Sequence, residues 1–143
     1  YRNKPFSNGI FLNKEFILKW ARKLISEYSI VAPDENIPVG KLSGGNIQRV
    51  IVARELSLSP SLVVAAYPTY GLDIAATKFI RHLLVKRRDS GAAVLLISND
   101  IDEVLQICDR IAVMYEGRFL EIMDASKADK ERLGLLMGGV QAN

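Results

Sequence analysis

Leu42-Ser43-Gly44-Gly45-Asn46-Ile47-Gln48-Arg49 is the segment whose residue types and order are best suited to chemistry. Two adjacent glycines let a backbone come close to another group, and a helical pattern begins directly after them. The first N–H groups of a helix lack intrahelical partners and carry the positive end of its dipole, so this arrangement favours an anion. Ser43 adds a hydroxyl donor at the same point. A plain glycine turn with a serine N-cap uses the same residues, and Ser-Gly-Gly by itself does not separate the two roles. Other reactive side chains carry less. His82 lies in a basic stretch without Cys, His or carboxylates at ligand spacing, so no metal site is expected. Cys108, the single cysteine, has no intramolecular disulfide partner and no His beside it in sequence, and packing is its expected role. Lys86-Arg87-Arg88 closes an apparent helix, where cations complement the dipole, and no aromatic stripe interleaves it. No nucleic-acid partner is expected.

The chain that positions these groups has 143 residues, 49% hydrophobic and 24% charged, with 19 Lys+Arg against 16 Asp+Glu and a net charge of +3. These fractions exclude a disordered tail, a collagen-like repeat and a disulfide-stapled mini-protein. The longest apolar runs, Leu62 to Tyr67 and Ala92 to Ile97, fall far short of the ~20 residues of a membrane span. Together with the lone cysteine and the lack of a basic-then-apolar leader, the expectation is a soluble intracellular globular protein.

Residues Tyr1 to Leu12 read as irregular. Asn13 is a plausible N-cap for a helix whose stripe is Phe16, Ile17, Trp20, Leu24, Ile25 and Tyr28, with Lys19, Arg22, Lys23 and Glu27 turned away. Val31 to Lys41 is a loop, and a second helix spans about Asn46 to Leu58, before Pro60. The period then changes. Leu62 to Ala66 and Ala93 to Ile97 are all-apolar, the pattern of strands covered on both faces. Between them Ile74 to Arg88 is helical, with Ala75, Phe79, Ile80, Leu83 and Leu84 on one side. Asp100 and Glu103 read as a capping box for a short helix through Cys108. Arg110 to Tyr115 and Arg118 to Met123 flank Glu116-Gly117 as a hairpin, and Ser126 to Met137 reads as a terminal helix. The alternation predicts a parallel α/β core, with helical residues 1–58 set apart from 59–143.

Leu42 to Arg49 resembles the signature of ATP-binding cassette (ABC) ATPases, commonly LSGGQ followed by glutamine and a basic residue. Asn46 stands where glutamine is usual, a variant familiar in importers of simple sugars. The likeness continues in register. Leu62 to Asp73 (LVVAAYPTYGLD) is similar to the family's Walker B strand and D-loop, Val94 to Asn99 to the strand leading to the switch histidine, and Arg110 to Phe119 to the strand pair after it. The resemblance implies a truncated P-loop NTPase-like core, α/β with parallel strands and flanking helices, plus an N-terminal helical subdomain. It also implies that the P-loop strand is absent and precedes Tyr1. No G-x-x-x-x-G-K-[ST] occurs in these 143 residues; Gly40-Lys41 is followed by Leu42, and Glu35 stands where the first glycine belongs.

The departures bear on activity. Ala66 stands at the family's magnesium-holding aspartate, Tyr67 at the glutamate that polarises the attacking water, and Asn99 at the switch histidine. None supplies a carboxylate or an imidazole, so no catalytic residue is assigned and the chain alone is expected to be inactive. Tyr67 is expected to be a ring packed where a carboxylate would stand. The signature works in trans in this family. The resemblance therefore implies that Ser43, Gly44, Gly45 and Asn46, with Gln48 as a further polar contact, meet ATP on a partner cassette. Asp73 in the D-loop would touch that partner, or simply cap the helix from Ile74. ATP and magnesium are expected mainly on the partner cassette, and none on the chain alone. The pattern is similar to the degenerate second cassette of tandem subunits that energise uptake of simple sugars and nucleosides. Its implied partners are the other cassette, membrane-spanning permease subunits and, indirectly, a solute-binding protein, at the inner face of the cell membrane. In that family the helical subdomain faces the permease; Phe16 and Trp20 are expected in its core. An ABC-type ATPase of DNA repair or translation and an α/β interaction module without a nucleotide are the alternatives.

Overall fold

The computed structural model describes residues 5–8 and 11–140. It divides into two compact units, one holding the chain up to Pro60 together with Gly71–Ile80, the other holding Ser61–Tyr70 and the chain from Arg81 onward.

In the first unit, the segment expected to be irregular forms a short ladder: β1 (Ser7–Asn8) pairs antiparallel with β2 (Phe11–Leu12), Ser7 opposite Leu12. Two residues per strand are too few to show a period, and the pairing is completed by Asn13 N–H donating to the Phe6 carbonyl. Residues 1–4 and 9–10 of the stretch read as irregular lie outside the described residues. Asn13 then caps α1 (Lys14–Glu27), its side chain accepting from the Phe16 N–H at 3.1 Å. The expected stripe holds. Phe16 and Trp20 are half-buried against each other and against the edge of Phe6, with ring centroids 5.2–6.2 Å apart, while Lys19, Arg22, Lys23 and Glu27 are exposed. Tyr28 and Ile30, just past the helix, are buried. After a single 3-10 turn at Val39–Lys41, α2 runs over Gly44–Leu56, starting and ending two residues earlier than the sequence pattern indicates. Its start is set by extended backbone at Ser43, and its end by the turn through Ser57 to Ser59. Val52, Ala53 and Leu56 form its buried side.

In the second unit, β3 (Leu62–Ala66) pairs in parallel with β4 (Ala93–Ile97), from Leu62 opposite Ala93 to Ala66 opposite Ile97. The connection between them is α3 (Ile74–Asp89), which gives the expected strand–helix–strand order. Its buried line is Ala76, Ile80 and Leu84; Ala75, expected on that side, is exposed, because a stripe stepping by four residues passes one position along. Among the described residues, parallel pairing is confined to this pair. The strands were expected to be covered on both faces, yet Leu62, Val64, Leu95 and Ile97 all remain exposed, the last at 43% and the others above 50%. Alternating residues Val63, Ala65, Val94 and Leu96 are half-buried. Only one face of the pleat is covered within the described residues, although the side chains on both are apolar.

The remaining elements are α4 (Ile101–Ile107), β5 (Arg110–Tyr115), β6 (Arg118–Asp124) and α5 (Lys130–Met137). Strands β5 and β6 form the expected hairpin. Glu116 and Gly117 both have positive φ, 46° and 77°, the turn geometry that matches strand twist in a two-residue loop. Ile111, Val113, Met123, Leu133 and Leu136 make the core beneath it. The terminal helix starts at Lys130, capped by the Asp129 side chain, because Ala125–Lys127 forms a separate 3-10 turn. Gly139, at φ 81°, lies so near the Tyr115 ring that a Cβ would sit 2.7 Å from it, which reserves the position for glycine. Among the described residues no helix is long and apolar enough to cross a membrane.

Candidate functional site

The residues singled out by sequence fall at two places, one in each unit. In the first, the tip of α2 is built by Ser43, Gly44, Gly45 and Asn46. Ser43 occupies the N-cap position with extended backbone, φ −64° and ψ 156°, yet its side chain makes no capping bond to the backbone. Its oxygen instead accepts from the Asn46 side-chain Nδ2 at 2.9 Å. The first intrahelical bond is Ile47 N–H to the Ser43 carbonyl, 2.8 Å, so the N–H groups of Gly44, Gly45 and Asn46 precede the helical ladder without a side-chain cap. Gly44 faces open space, and a Cβ at Gly45 would only just touch the Ala76 Cβ, at 3.4 Å. Ser43 and Gly44 are exposed; Gly45, Asn46 and Gln48 are half-buried. Such a tip can receive an anion on backbone donors and a hydroxyl.

Arg49, read from sequence only as the basic residue closing the segment, fixes this helix to its neighbours. Its guanidinium lies 4.0 Å over the Phe79 ring and donates to the carbonyls of Tyr28 and Ser29 at 3.1 and 3.3 Å. Its sequence position, one residue past Gln48, shows a basic side chain but not the ring that receives it. Asp73 is exposed, and its carboxylate accepts from the Ala76 N–H at 2.7 Å, so it caps α3 as the simpler reading holds.

In the second unit, Ala66 and Tyr67 lie at the C-terminal end of β3, and Asn99 lies just beyond the end of β4. The parallel register brings these strand ends side by side, with the Tyr67 N–H donating to the Ile97 carbonyl at 2.8 Å. Crevices at the carboxyl ends of parallel strands are where open α/β sheets bind ligands. Ala66, Tyr67 and Asn99 are all exposed. Tyr67 is therefore not the packed ring expected: it is 51% exposed, and its backbone is left-handed, at φ 48°. The turned backbone carries the side chain off the pleat that would have buried it.

The loops that carry these positions are held by a cluster that the sequence did not announce. Glu103 is fully buried, and its Oε1 accepts from the Thr69 hydroxyl at 2.8 Å and from Arg81 Nε at 3.2 Å. Arg81 also donates to Asp100 at 2.8 Å and to Gln106 at 2.9 Å. Asp100 caps α4 by accepting from the Glu103 N–H, as expected, and its own N–H bonds to the Ser98 hydroxyl. The other half of the capping box is absent, because the Glu103 side chain turns inward to Thr69 and Arg81 instead of back to the Asp100 N–H. Its Oε2 has no partner among the described residues.

Cys108 ends α4, half-buried against the hairpin core. Burial pushes its thiol above the usual range, with Asp109 and Glu103 adding to the effect. The thiol is then largely protonated at neutral pH, and alkylation by iodoacetamide at pH 8 is expected to be slower than that of a free cysteine and to keep rising above pH 9. A pH–rate profile matching free cysteine would contradict this.

Magnesium does not fit the strand-end residues. Ala66, Tyr67 and Asn99 offer no carboxylate, and no group of three or more His, Cys, Asp or Glu able to hold a metal occurs among the described residues.

No family model matches the chain. The guanosine import ATP-binding protein NupO of Bacillus subtilis is 43% identical over 139 residues, covering 97% of this chain and 27% of that protein. The nucleoside import ATP-binding protein NupA of Lactococcus lactis is 39% identical over 143 residues, covering 100% of this chain and 28% of that protein. The glucose import ATP-binding protein TsgD13 of Haloferax volcanii is 38% identical over 141 residues, 97% of this chain and 26% of that protein. Among solved structures, the dimeric cassette MJ0796 bound to ADP and phosphate superposes with a TM-score of 0.69 at 27% identity, over 83% of this chain and 51% of that chain. The cassette MJ1267 has a TM-score of 0.72 at 20% identity, a likeness of fold. The fold is thus that of part of an ATP-binding cassette, with its parallel strands and flanking helices. Over nearly its whole length the chain is similar to import ATP-binding proteins, and its structural neighbours are ABC cassettes. It spans about a quarter of the length of the curated relatives it matches.

Proposed function

We propose that the chain is the C-terminal portion of the ATP-binding subunit of an importer for simple sugars or nucleosides, within the second of two cassettes. In this reading residues 1–58 form the helical subdomain and 59–143 the second part of the α/β core. Its α2 tip closes in trans over ATP held by the partner cassette, while its own hydrolytic site is degenerate. Ser43, Gly44, Gly45, Asn46 and Gln48 form the face that the terminal phosphate meets. Asp73 touches the partner from the D-loop position while capping its own helix. The import of guanosine, nucleosides and glucose by the relatives supports the solute class, and the dimeric cassette holding ADP and phosphate supports the pairing. Permease subunits, a solute-binding protein and the inner face of the cell membrane belong to the same reading.

One observation carries it: backbone donors at the α2 tip stand uncapped, while Ala66, Tyr67 and Asn99 at the ends of β3 and β4 supply neither carboxylate nor imidazole. When bound on the partner, ATP with magnesium supplies the phosphoryl group for hydrolysis. This chain's residues bring donors and a dipole to the terminal phosphate and stabilise the charge that develops on it. Loss of a positioned base costs ~10²–10⁴ in rate, so Tyr67 and Ala66 leave the chain's own strand ends without hydrolysis. The test is ATP turnover by this chain alone with magnesium. No phosphate release above background is expected; appreciable magnesium-dependent turnover would overturn the degenerate-site reading.

A further inference from the structure

We infer that Asn46 is a positioning residue that aims the Ser43 hydroxyl proton outward from the α2 tip, toward the phosphate. The inference rests on the trans reading above and deepens it, because it assigns Asn46 a role that runs through Ser43.

The orientation of the Asn46 amide is fixed by its neighbours. The Val31 N–H lies 2.8 Å from one end of that amide, and a backbone N–H can only donate, so that end is the carbonyl oxygen, Oδ1. The other end is therefore the NH₂ group, Nδ2, which donates to the Ser43 oxygen at 2.9 Å. A serine oxygen that accepts from Asn46 does not send its own proton along the same line. That proton is left for a group on the exposed side of Ser43.

The same bond has a second effect. A serine at the N-cap ordinarily accepts from the N–H two or three residues on, which would occupy a donor of the tip. Here the side chain of Asn46, the third helical residue, takes the place of its backbone N–H. One amide thus orients the hydroxyl, spares the backbone donors and ties the tip to the chain at Val31. Arg49 holds that stretch from the other side, at the Tyr28 and Ser29 carbonyls.

The experiment is a double-mutant cycle in the full-length subunit assembled with its partner cassette, reading kcat and KM for MgATP together with thermal melting. Ser43→Ala removes the donor and is expected to lower kcat ~10²-fold. Asn46→Ala is expected to lower kcat by ~10-fold or more through misaimed geometry. In the Ser43→Ala background the same change is expected to cost less than about twofold, because the hydroxyl it aims is gone. Asn46→Gln, which carries the same amide, is expected to restore most of the turnover. Where Asn46→Ala does not fold, Asn46→Asp replaces it. That variant keeps an acceptor for Val31 but can no longer donate to Ser43, and is expected to lower kcat with little change in melting temperature.

Costs that multiply in the double variant, or an unchanged kcat in Asn46→Ala or Asn46→Asp, overturn the inference. Multiplied costs with Ser43→Ala still damaging leave the trans reading standing. An unchanged turnover in Ser43→Ala brings down the trans reading, and the inference with it.

Discussion

Ser43→Arg is expected to lower ATP turnover of the full-length subunit by ~10²-fold or more while the protein stays folded. The position is exposed, its backbone is extended ahead of α2, and the adjoining Gly44 faces open space, so an arginine finds room without disturbing the core. In the proposed function, that room is where the phosphate of the partner's ATP comes. The guanidinium fills it and keeps the N–H groups of Gly44 and Gly45 from the distance at which they act, about 3 Å. A cation attracts a triphosphate, so nucleotide binding need not weaken, and the loss is expected in kcat rather than KM. The contrast with a simple helix cap is sharp. Losing an N-cap serine costs roughly 0.5–2 kcal/mol of stability and leaves chemistry elsewhere alone. Ser43 makes no capping bond to the backbone, so even that cost is expected to be small. Unchanged turnover in a folded variant would favour the glycine-turn reading.

Glu103→Ala is expected to destabilise the protein by about 3 kcal/mol in urea or thermal unfolding. Removing one partner of a buried ion pair costs roughly 3–5 kcal/mol, because the other charge is left uncompensated. Arg81 keeps a second carboxylate in Asp100, which argues for the lower end. The Thr69 hydroxyl also loses its acceptor. Glu103→Gln retains an acceptor for both Thr69 and Arg81 and is expected to cost clearly less than alanine. An alanine variant within about 1 kcal/mol of the parent would mean that the cluster does not hold the loops beyond β3 and β4.

These two side chains also mark what the sequence makes legible. Ser43-Gly44-Gly45 announces itself because its chemistry is local: glycines, a hydroxyl and a helix start fall within a few residues. The Glu116-Gly117 turn and the caps at Asn13 and Asp73 are legible for the same reason. Glu103 is not. Asp100 followed three residues later by Glu103 has the pattern of a capping box, and the helix cap itself forms. What decides the glutamate's course is Arg81, which is 22 residues away in sequence. No local pattern carries that pairing.

Tyr67 shows a different limit. An aromatic residue after five apolar ones reads as core, but the backbone turns left-handed there and exposes the ring. Strands β3 and β4 read as covered on both faces because both faces are apolar. Sequence gives the character of a face and not what lies against it, and within the described residues one face stays open. Ala75 and Ala76 differ by a single helical step, and composition cannot choose between two alanines.

In the proposed function, the α2 tip meets a nucleotide that the chain's own strand ends do not hold for hydrolysis. The most direct measurement is a structure of the full-length subunit with magnesium and a non-hydrolysable ATP analogue. The expected result places the Ser43 oxygen and the N–H groups of Gly44 and Gly45 within about 3 Å of the terminal phosphate of the analogue seated on the other cassette. A tip standing clear of every bound nucleotide, or a magnesium nucleotide held at Ala66 and Tyr67 in a hydrolysis-ready geometry, would contradict it.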